Sequence, residues 1–366
     1  MKILYDHDVF VRQRYGGVSR YFFEIISRIS QIDNVESELF LGLNDSKYDF
    51  YALQNKSFHL KSIRVPSINK YYIFLTWLNN FYFKHYIKNN NYNIFHKSYY
   101  SPLGLDFKGN KVVTIHDMTH ELYPEFFSPS DTTSQIKKQC AVDSDGIICV
   151  SETTQRDLID IFDIPREKTS VIYHGNSLRL KVTGERTVKE PYILFVGQRW
   201  GYKNFSMLLT AYAKVERFNK NFKIVCFGGG DFNYSEQLYI KEHNLEDKVF
   251  FMSGNDMLLA NLYNYALALI YPSYYEGFGF PPLEAMYYGC PILVSNGGSI
   301  PEVVRNAGLY FDPYRIEDLI HKLDVILYDS GLREQIIKEG YQEEKKYNWE
   351  TSANETFSFY KKIAGL

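Results

Sequence analysis

The feature that most restricts this chain's fold is an alternation: short apolar runs, ending in Gly, Asp, His or Ser, take turns with longer stretches of helical period. Strands buried on both faces read as continuous apolar runs, and parallel neighbours need a crossover between them, usually a helix. In the first half the runs are residues 2–5 (KILY), 38–42 (ELFLG), 59–65, 93–96 (NIFH), 111–115 (KVVTI), 145–150 (DGIICV) and 170–173 (SVIY). In the second half they are 192–197 (YILFVG), 222–228 (FKIVCFG), 248–252 (KVFFM), 267–271 (LALIY), 291–295 (PILVS) and 309–311 (LYF). Each half therefore predicts an α/β unit with a doubly wound parallel sheet. A length of 366 residues is about twice what one core serves, which agrees with two domains. Residues 176–190 (NSLRLKVTGERTVKE) are polar and aperiodic, so they are read as the linker. The expected domains are 1–176 and 177–349, with a helix over 350–366 crossing back onto the first.

Charge and cysteine usage remove several function classes. Lys and Arg number 41 against 43 Asp and Glu, so no broad polyanion-binding surface is expected and nucleic acid is not a predicted partner. Cys140, Cys149, Cys226 and Cys290 stand in separate segments without metal-ligand spacing, which reads as reduced thiols and no zinc site. The first ten residues, MKILYDHDVF, fit a strand and not a secretion signal, and no run approaches ~18 apolar residues. A cytoplasmic location follows as an expectation. Aromatic residues reach 17%, a load that can pack cores, bind sugar faces or meet a membrane interface.

In such folds ligands bind beyond the carboxyl ends of the strands, so the loops after them are where chemistry belongs. After the run ending at Tyr271 come Glu276, Gly277, Phe278 and Gly279, then Pro281 and Pro282 opening a helix that contains Glu284 and stops by Gly289. A glycine-led helix N-terminus offers free N–H groups and partial positive charge to a ligand. Glu276 and Glu284 beside that pole repel phosphate but suit sugar hydroxyls; a capping acid is the plainer reading of Glu284. Arg199 and Lys203 follow the run 192–197 and are placed to neutralise a diphosphate, although solvated cations are the default in any loop. Gly16 and Gly17 precede a helix and fit either a phosphate contact or a tight turn. His116 and Asp117 end the run 111–115 without a third ligand or nucleophile, which favours hydrogen bonding to sugar hydroxyls over a metal or a base.

Taken in order, GGVSRYFFEI (16–25), VVTIHDMTHELYPEFF (112–127), VSETTQRDL (150–158), VIYHGN (171–176), LFVGQRWGYKN (194–204) and EGFGFPPLEAMYYGCPILVSNGGSIPEV (276–303) resemble the retaining glycosyltransferases of the GT-B fold, specifically family 4. The resemblance implies two Rossmann-like domains facing a cleft. It implies that Arg199 and Lys203 hold the diphosphate and that Glu284 holds the ribose. Glu276 with Gly277, Phe278 and Gly279 would meet the donor sugar and phosphates, His116 would contact the transferred sugar, and Gly16 and Gly17 would close over the phosphates. His174 and Asn176 depart from the family pattern near the expected hinge.

Within that family the chain looks most like mannosyl-type enzymes of O-antigen, lipopolysaccharide and other surface polysaccharide synthesis. A hexose donor linked to a nucleoside diphosphate, taken as GDP, is expected as co-substrate, with no other cofactor and no metal. A glycan or lipid-linked glycan is the expected acceptor. A non-catalytic nucleotide-sugar-binding subunit, a sugar-nucleotide epimerase and a glycoside hydrolase are the competing readings. Residues 69–88 set Phe74, Trp77, Leu78, Phe81 and His85 on one helical face near Lys70, Lys84 and Lys88. That face fits peripheral contact at the inner membrane surface or a helix packed on its own sheet.

Overall fold

A computed structural model of the chain describes residues 1–13, 15–65, 72–88 and 91–366. It divides into two compact units, one of residues 1–175 with 348–366 and one of residues 176–347.

The first unit holds seven parallel strands: β1 (Lys2–Tyr5), β2 (Glu36–Asn44), β3 (Phe58–Arg64), β4 (Ile94–Lys97), β5 (Asn110–Ile115), β6 (Gly146–Cys149) and β7 (Thr169–Val171). Their order is β3-β2-β1-β4-β5-β6-β7, with Ile3 registered on Ser37 to one side and Ile94 to the other. The chain reverses direction of winding between β1 and β4, the switch point at which such sheets open a crevice. Central strands are covered on both faces, which is why Ile3, Leu4, Tyr5, Ile94 and Phe95 show no accessible surface. Of the helix expected over 69–88, the structure places Tyr72–Lys88, and 69–71 lie outside the described residues.

The helix Trp349–Ala364 closes this unit. It packs on the helix Gly17–Ile29 and on β5 and β6. Gly146 is small because a Cβ there would lie 2.8 Å from Ile363 and 2.9 Å from Phe359. The Tyr360 hydroxyl bonds the His96 ring and lies 3.5 Å from the Tyr5 hydroxyl, so the helix is keyed by polar as well as apolar contacts.

The second unit holds β8 (Tyr192–Val196), β9 (Lys223–Phe227), β10 (Val249–Met252), β11 (Ala268–Tyr271), β12 (Ile292–Ser295) and β13 (Leu309–Phe311), ordered β10-β9-β8-β11-β12-β13 and all parallel. Its switch point falls between β8 and β11, where Leu194 registers on Leu269. The architecture is two Rossmann-like α/β units of the GT-B type. Among the described residues no helix is long and apolar enough to cross a membrane.

Candidate active site

The loops leaving β8 and β11 flank the switch point of the second unit and bring Lys203 to Glu276. The Lys203 ammonium donates to both carboxylate oxygens, at 2.7 and 2.9 Å. Their side chains are 17% and 10% exposed, so the pair is largely desolvated. Burial works to lower the Lys203 pKa, but Glu276 together with Tyr271 and Tyr202 outweighs it, and the ammonium is held well above its ordinary value. The rings of Tyr202 and Tyr271 lie 5.0 and 5.6 Å from the same nitrogen. A backbone bond from the Tyr274 N–H to the Tyr202 carbonyl, 2.8 Å, clips the two loops together.

The Glu276 loop is held from behind by the turn after β12. Ser299 donates its hydroxyl to the carbonyls of Glu276 and Phe278, at 2.9 and 3.0 Å, and its N–H also reaches the Glu276 carbonyl. Gly297 and Gly298 make that approach feasible: a Cβ would sit 2.1 Å from the Tyr274 carbonyl oxygen or 2.6 Å from the Glu276 backbone. This support went unassigned in the sequence reading. Its signal was the pair of glycines followed by serine in NGGSIPE, 296–302.

Gly277, Phe278 and Gly279 lead directly into the helix Phe280–Tyr287, with Gly279 at φ 105° as the N-cap and proline in the first turn. Gly279 takes a backbone conformation that L side chains rarely adopt, and no side chain caps this terminus. Glu284 lies in the same helix, buried, and accepts a hydrogen bond from Tyr263 at 2.9 Å. Burial and then that carboxylate raise the Tyr263 pKa well above its ordinary value, so the phenol remains a donor.

The Arg199 guanidinium is held against the loop that follows β9. Its Nε lies 3.2 Å from Glu236, Nη1 donates to the Gly228 carbonyl, and Nη2 donates to the carbonyls of Gly230 and Asp231 at 2.7 Å. The cause is the loop after β9, where Gly228, Gly229 and Gly230 have φ of 79°, 76° and 77°. Their left-handed conformation turns carbonyls inward, and a fork of N–H groups is what satisfies them. Arg199 thus ties that glycine loop to the loop after β8.

In the first unit His116 follows β5. Its backbone N–H donates to the Tyr100 hydroxyl at 3.0 Å, while its covered Nε2 has no hydrogen-bond partner among the described residues. Tyr21 meets its ring edge-on at 5.3 Å. Burial pushes its pKa down to about 4, more than Asp117 raises it, so the ring is neutral near pH 7. Asp117 accepts from the Thr119 N–H at 2.9 Å and lies near Lys137, which also bonds Glu121 at 2.7 Å. His174 is buried against Tyr21 and Trp349. Gly16 and Gly17 open the helix Gly17–Ile29, and the Gly16 carbonyl accepts from the Ser19 hydroxyl at 3.2 Å. No group of three or more His, Cys, Asp or Glu able to hold a metal ion occurs among the described residues.

Comparison with known proteins follows the same division. Residues 15–179 match the model described as Glycosyltransferase Family 4, and residues 180–343 match the one described as Glycosyl transferases group 1. The chain is 34% identical over 207 residues to the O-antigen chain mannosyltransferase RfbU of Salmonella typhimurium, covering 56% of this chain and 57% of that relative. Against O-antigen chain mannosyltransferase B of Escherichia coli the identity is 26%, over 99% of this chain and 100% of the relative. The chain thus spans somewhat over half of the first relative's length and all of the second's. Among solved structures, sucrose-phosphate synthase from Thermosynechococcus elongatus superposes with a TM-score of 0.78 at 20% identity, covering 100% of this chain and 99% of that one.

Proposed function

Because this chain belongs to the glycosyltransferases, with a Family 4 first half and a group 1 second half, we propose that it moves a mannose-type hexose from a nucleoside-diphosphate sugar to a glycan or lipid-linked glycan. The product is a surface polysaccharide of the O-antigen or lipopolysaccharide kind, in keeping with the names of the relatives. The observation that carries the reading is the buried Lys203–Glu276 pair at the switch point, beside the glycine-led N-terminus of the helix Phe280–Tyr287. A cation and a positive helix pole suit a diphosphate, and a carboxylate beside them suits the hydroxyls of its sugar.

The chemistry is loss of a diphosphate from the anomeric carbon as an acceptor hydroxyl bonds to it. Lys203 and the positive pole of that helix stabilise charge developing on the departing phosphate, which is electrostatic and positional catalysis. Glu276 orients the hexose, and Glu284 holds the ribose. His116, neutral and with a free ring nitrogen, contacts the transferred sugar, while Gly16 and Gly17 cover the phosphates. In the retaining course the acceptor attacks from the face the diphosphate leaves, and a leaving-group oxygen takes the hydroxyl proton. No cofactor beyond the donor, taken as a GDP-sugar, and no metal ion enters this scheme. Soluble donors place the reaction in the cytoplasm, and a lipid-linked acceptor places the protein at the inner membrane face.

A thermal-shift panel of nucleotides and nucleotide sugars tests the reading, because a ligand that prefers the folded state raises its melting temperature by mass action. Stabilisation by GDP and GDP-mannose above other nucleotides supports it, as does release of GDP with a mannosylated product. Stabilisation by nucleotides with neither transfer nor hydrolysis over many acceptors would instead favour the non-catalytic subunit.

A further inference from the structure

The helix Tyr72–Lys88 is apolar on two faces, and the described residues of its own unit cover one of them. The inner face carries Asn79, Phe83 and Ile87 at helical spacing, all buried. Phe83 and Ile87 pack with Leu4, Phe40 and Phe95. Asn79 bonds both polar groups of the Leu43 backbone, at 2.8 and 2.9 Å, as a strand partner would. Those contacts fix the roll of the helix and leave the other face outward.

The outward face is a ladder of rings. Phe74, Trp77 and Phe81 are 55%, 61% and 53% exposed and stack in sequence, with centroids 6.1 and 6.3 Å apart. His85 continues the ladder 5.4 Å from Phe81. Alongside, between this helix and strands β2 and β3, runs a groove of about 890 Å³ lined by Phe40, Leu43, Leu60, Ile63, Leu78 and Tyr86, among others. Ile63, on the edge strand, is itself exposed. Large aromatic groups that no core needs mark an interaction surface.

The segment that forms this surface carries cations and no acids. Between Asp49 and Asp106 the sequence contains no Asp or Glu, although the chain has 43 of them, while Lys56, Lys61, Arg64, Lys84 and Lys88 all fall in that span and are exposed. Two acids beside the helix are engaged: Asp106 lies 3.9 Å from Lys88, and Glu38 is buried beneath Tyr86 and Tyr92, accepting from both. In a chain of net charge -2 this is a local cationic field around an apolar face.

We propose that this face, formed by the helix Tyr72–Lys88 and the edge strand β3, docks the protein onto an anionic phospholipid bilayer, with the rings in the interface and the lysines against the headgroups. Aromatic rings and lysine stems are the side chains suited to that boundary, and each nearby cation adds attraction to an anionic leaflet. A second copy of the chain is the less suitable occupant, because a two-fold interface would set Lys61, Lys84 and Lys88 against a field of their own sign. The proposal rests on the peripheral placement given above, but it is read as binding and not as transfer. A failed vesicle assay therefore leaves the donor reading standing, and the reverse holds too.

The test is co-sedimentation of the full chain with vesicles of phosphatidylcholine containing phosphatidylglycerol, and of phosphatidylcholine alone. The expected result is binding to the anionic vesicles that weakens with added salt and falls about tenfold or more in Trp77→Ser/Phe81→Ser. Both positions are exposed, and far-UV circular dichroism checks that the variant folds. Lys61→Glu/Lys84→Glu provides a second variant with the same expected loss. Brominated lipid should quench the parent's tryptophan fluorescence more than that of Trp77→Phe. Equal binding by parent and both variants overturns the proposal, as does a parent that stays in the supernatant. Conversion of a dimer to a monomer by the serine variant, without lipid binding by the parent, overturns it in favour of a second copy.

Discussion

The Lys203–Glu276 pair lends itself to a double-mutant cycle, in which stability and transfer respond with opposite logic. Lys203→Met leaves a carboxylate that is 10% exposed without its cation, and Glu276→Gln leaves an ammonium that is 17% exposed without its anion. Stranding one member of a buried pair costs about 3 kcal/mol at the lower end of the usual range. The second unit runs from 176 to 347, a size at which 1 kcal/mol moves the melting temperature by roughly 2–4 °C. Each single variant should therefore melt about 6–12 °C lower. The double variant Lys203→Met/Glu276→Gln leaves no stranded charge and should recover to within about 1 kcal/mol of the parent, since the desolvation cost of both ions is gone. Transfer should not recover, because a lost transition-state charge partner costs roughly 2.7–4 kcal/mol, or a hundredfold and more in rate. Thermal unfolding followed by circular dichroism gives the first quantity, and nucleotide release in the presence of acceptor gives the second. Single variants that melt with the parent, or a double variant that transfers within about tenfold of it, would show that this pair is not the charge centre of donor binding.

Arg199→Ala should lower the melting temperature of the ligand-free protein, because Glu236 and three loop carbonyls lose their donor, with a cost of about 3–5 kcal/mol. An unchanged ligand-free melt contradicts its part in holding the glycine loop. His116 should titrate with a midpoint of about 4 in nuclear magnetic resonance spectra. Since that folded value lies below the ordinary one near 6.5, the neutral ring's stability contribution is whole above about pH 6.5 and is lost as pH falls toward and through 4; a midpoint at 6.5 refutes the burial argument. Transfer should persist in EDTA, and the metal-free scheme fails if chelation abolishes activity and Mg or Mn restores it.

The sheets were legible because their strands are buried on both faces, so that residues such as 145–150 and 192–197 read as unbroken apolar runs; the structure forms Gly146–Cys149 and Tyr192–Val196 there. The helix after Gly279 was legible from its glycine and prolines, which act locally. Side-chain direction was not. Nothing in QRWGYK says that Arg199 turns toward carbonyls 29 to 32 residues away, because those of Gly228, Gly230 and Asp231 are presented by a loop of left-handed glycines after another strand. Ser299 was hidden likewise, its partners being backbone atoms of a different loop. For residues 72–88 the helical periodicity and the stripe of Phe74, Trp77 and Phe81 were visible, but periodicity does not say whether a stripe faces the sheet or solvent. The side-chain bonds of Asn79 to the Leu43 backbone decide it.

The first unit is assembled from two stretches of chain, 1–175 and 348–366, with all of the second unit threaded between them. During synthesis on the ribosome, the surfaces of the helix Gly17–Ile29 and of β5 and β6 stay bare until residues 349–364 emerge, roughly 10–35 s after Gly175 at ordinary elongation speeds. The portion encoded later but continuous in sequence is thus the one free to mature first. The nascent N-terminal half, meanwhile, spends that interval as an unfinished body in need of protection from aggregation.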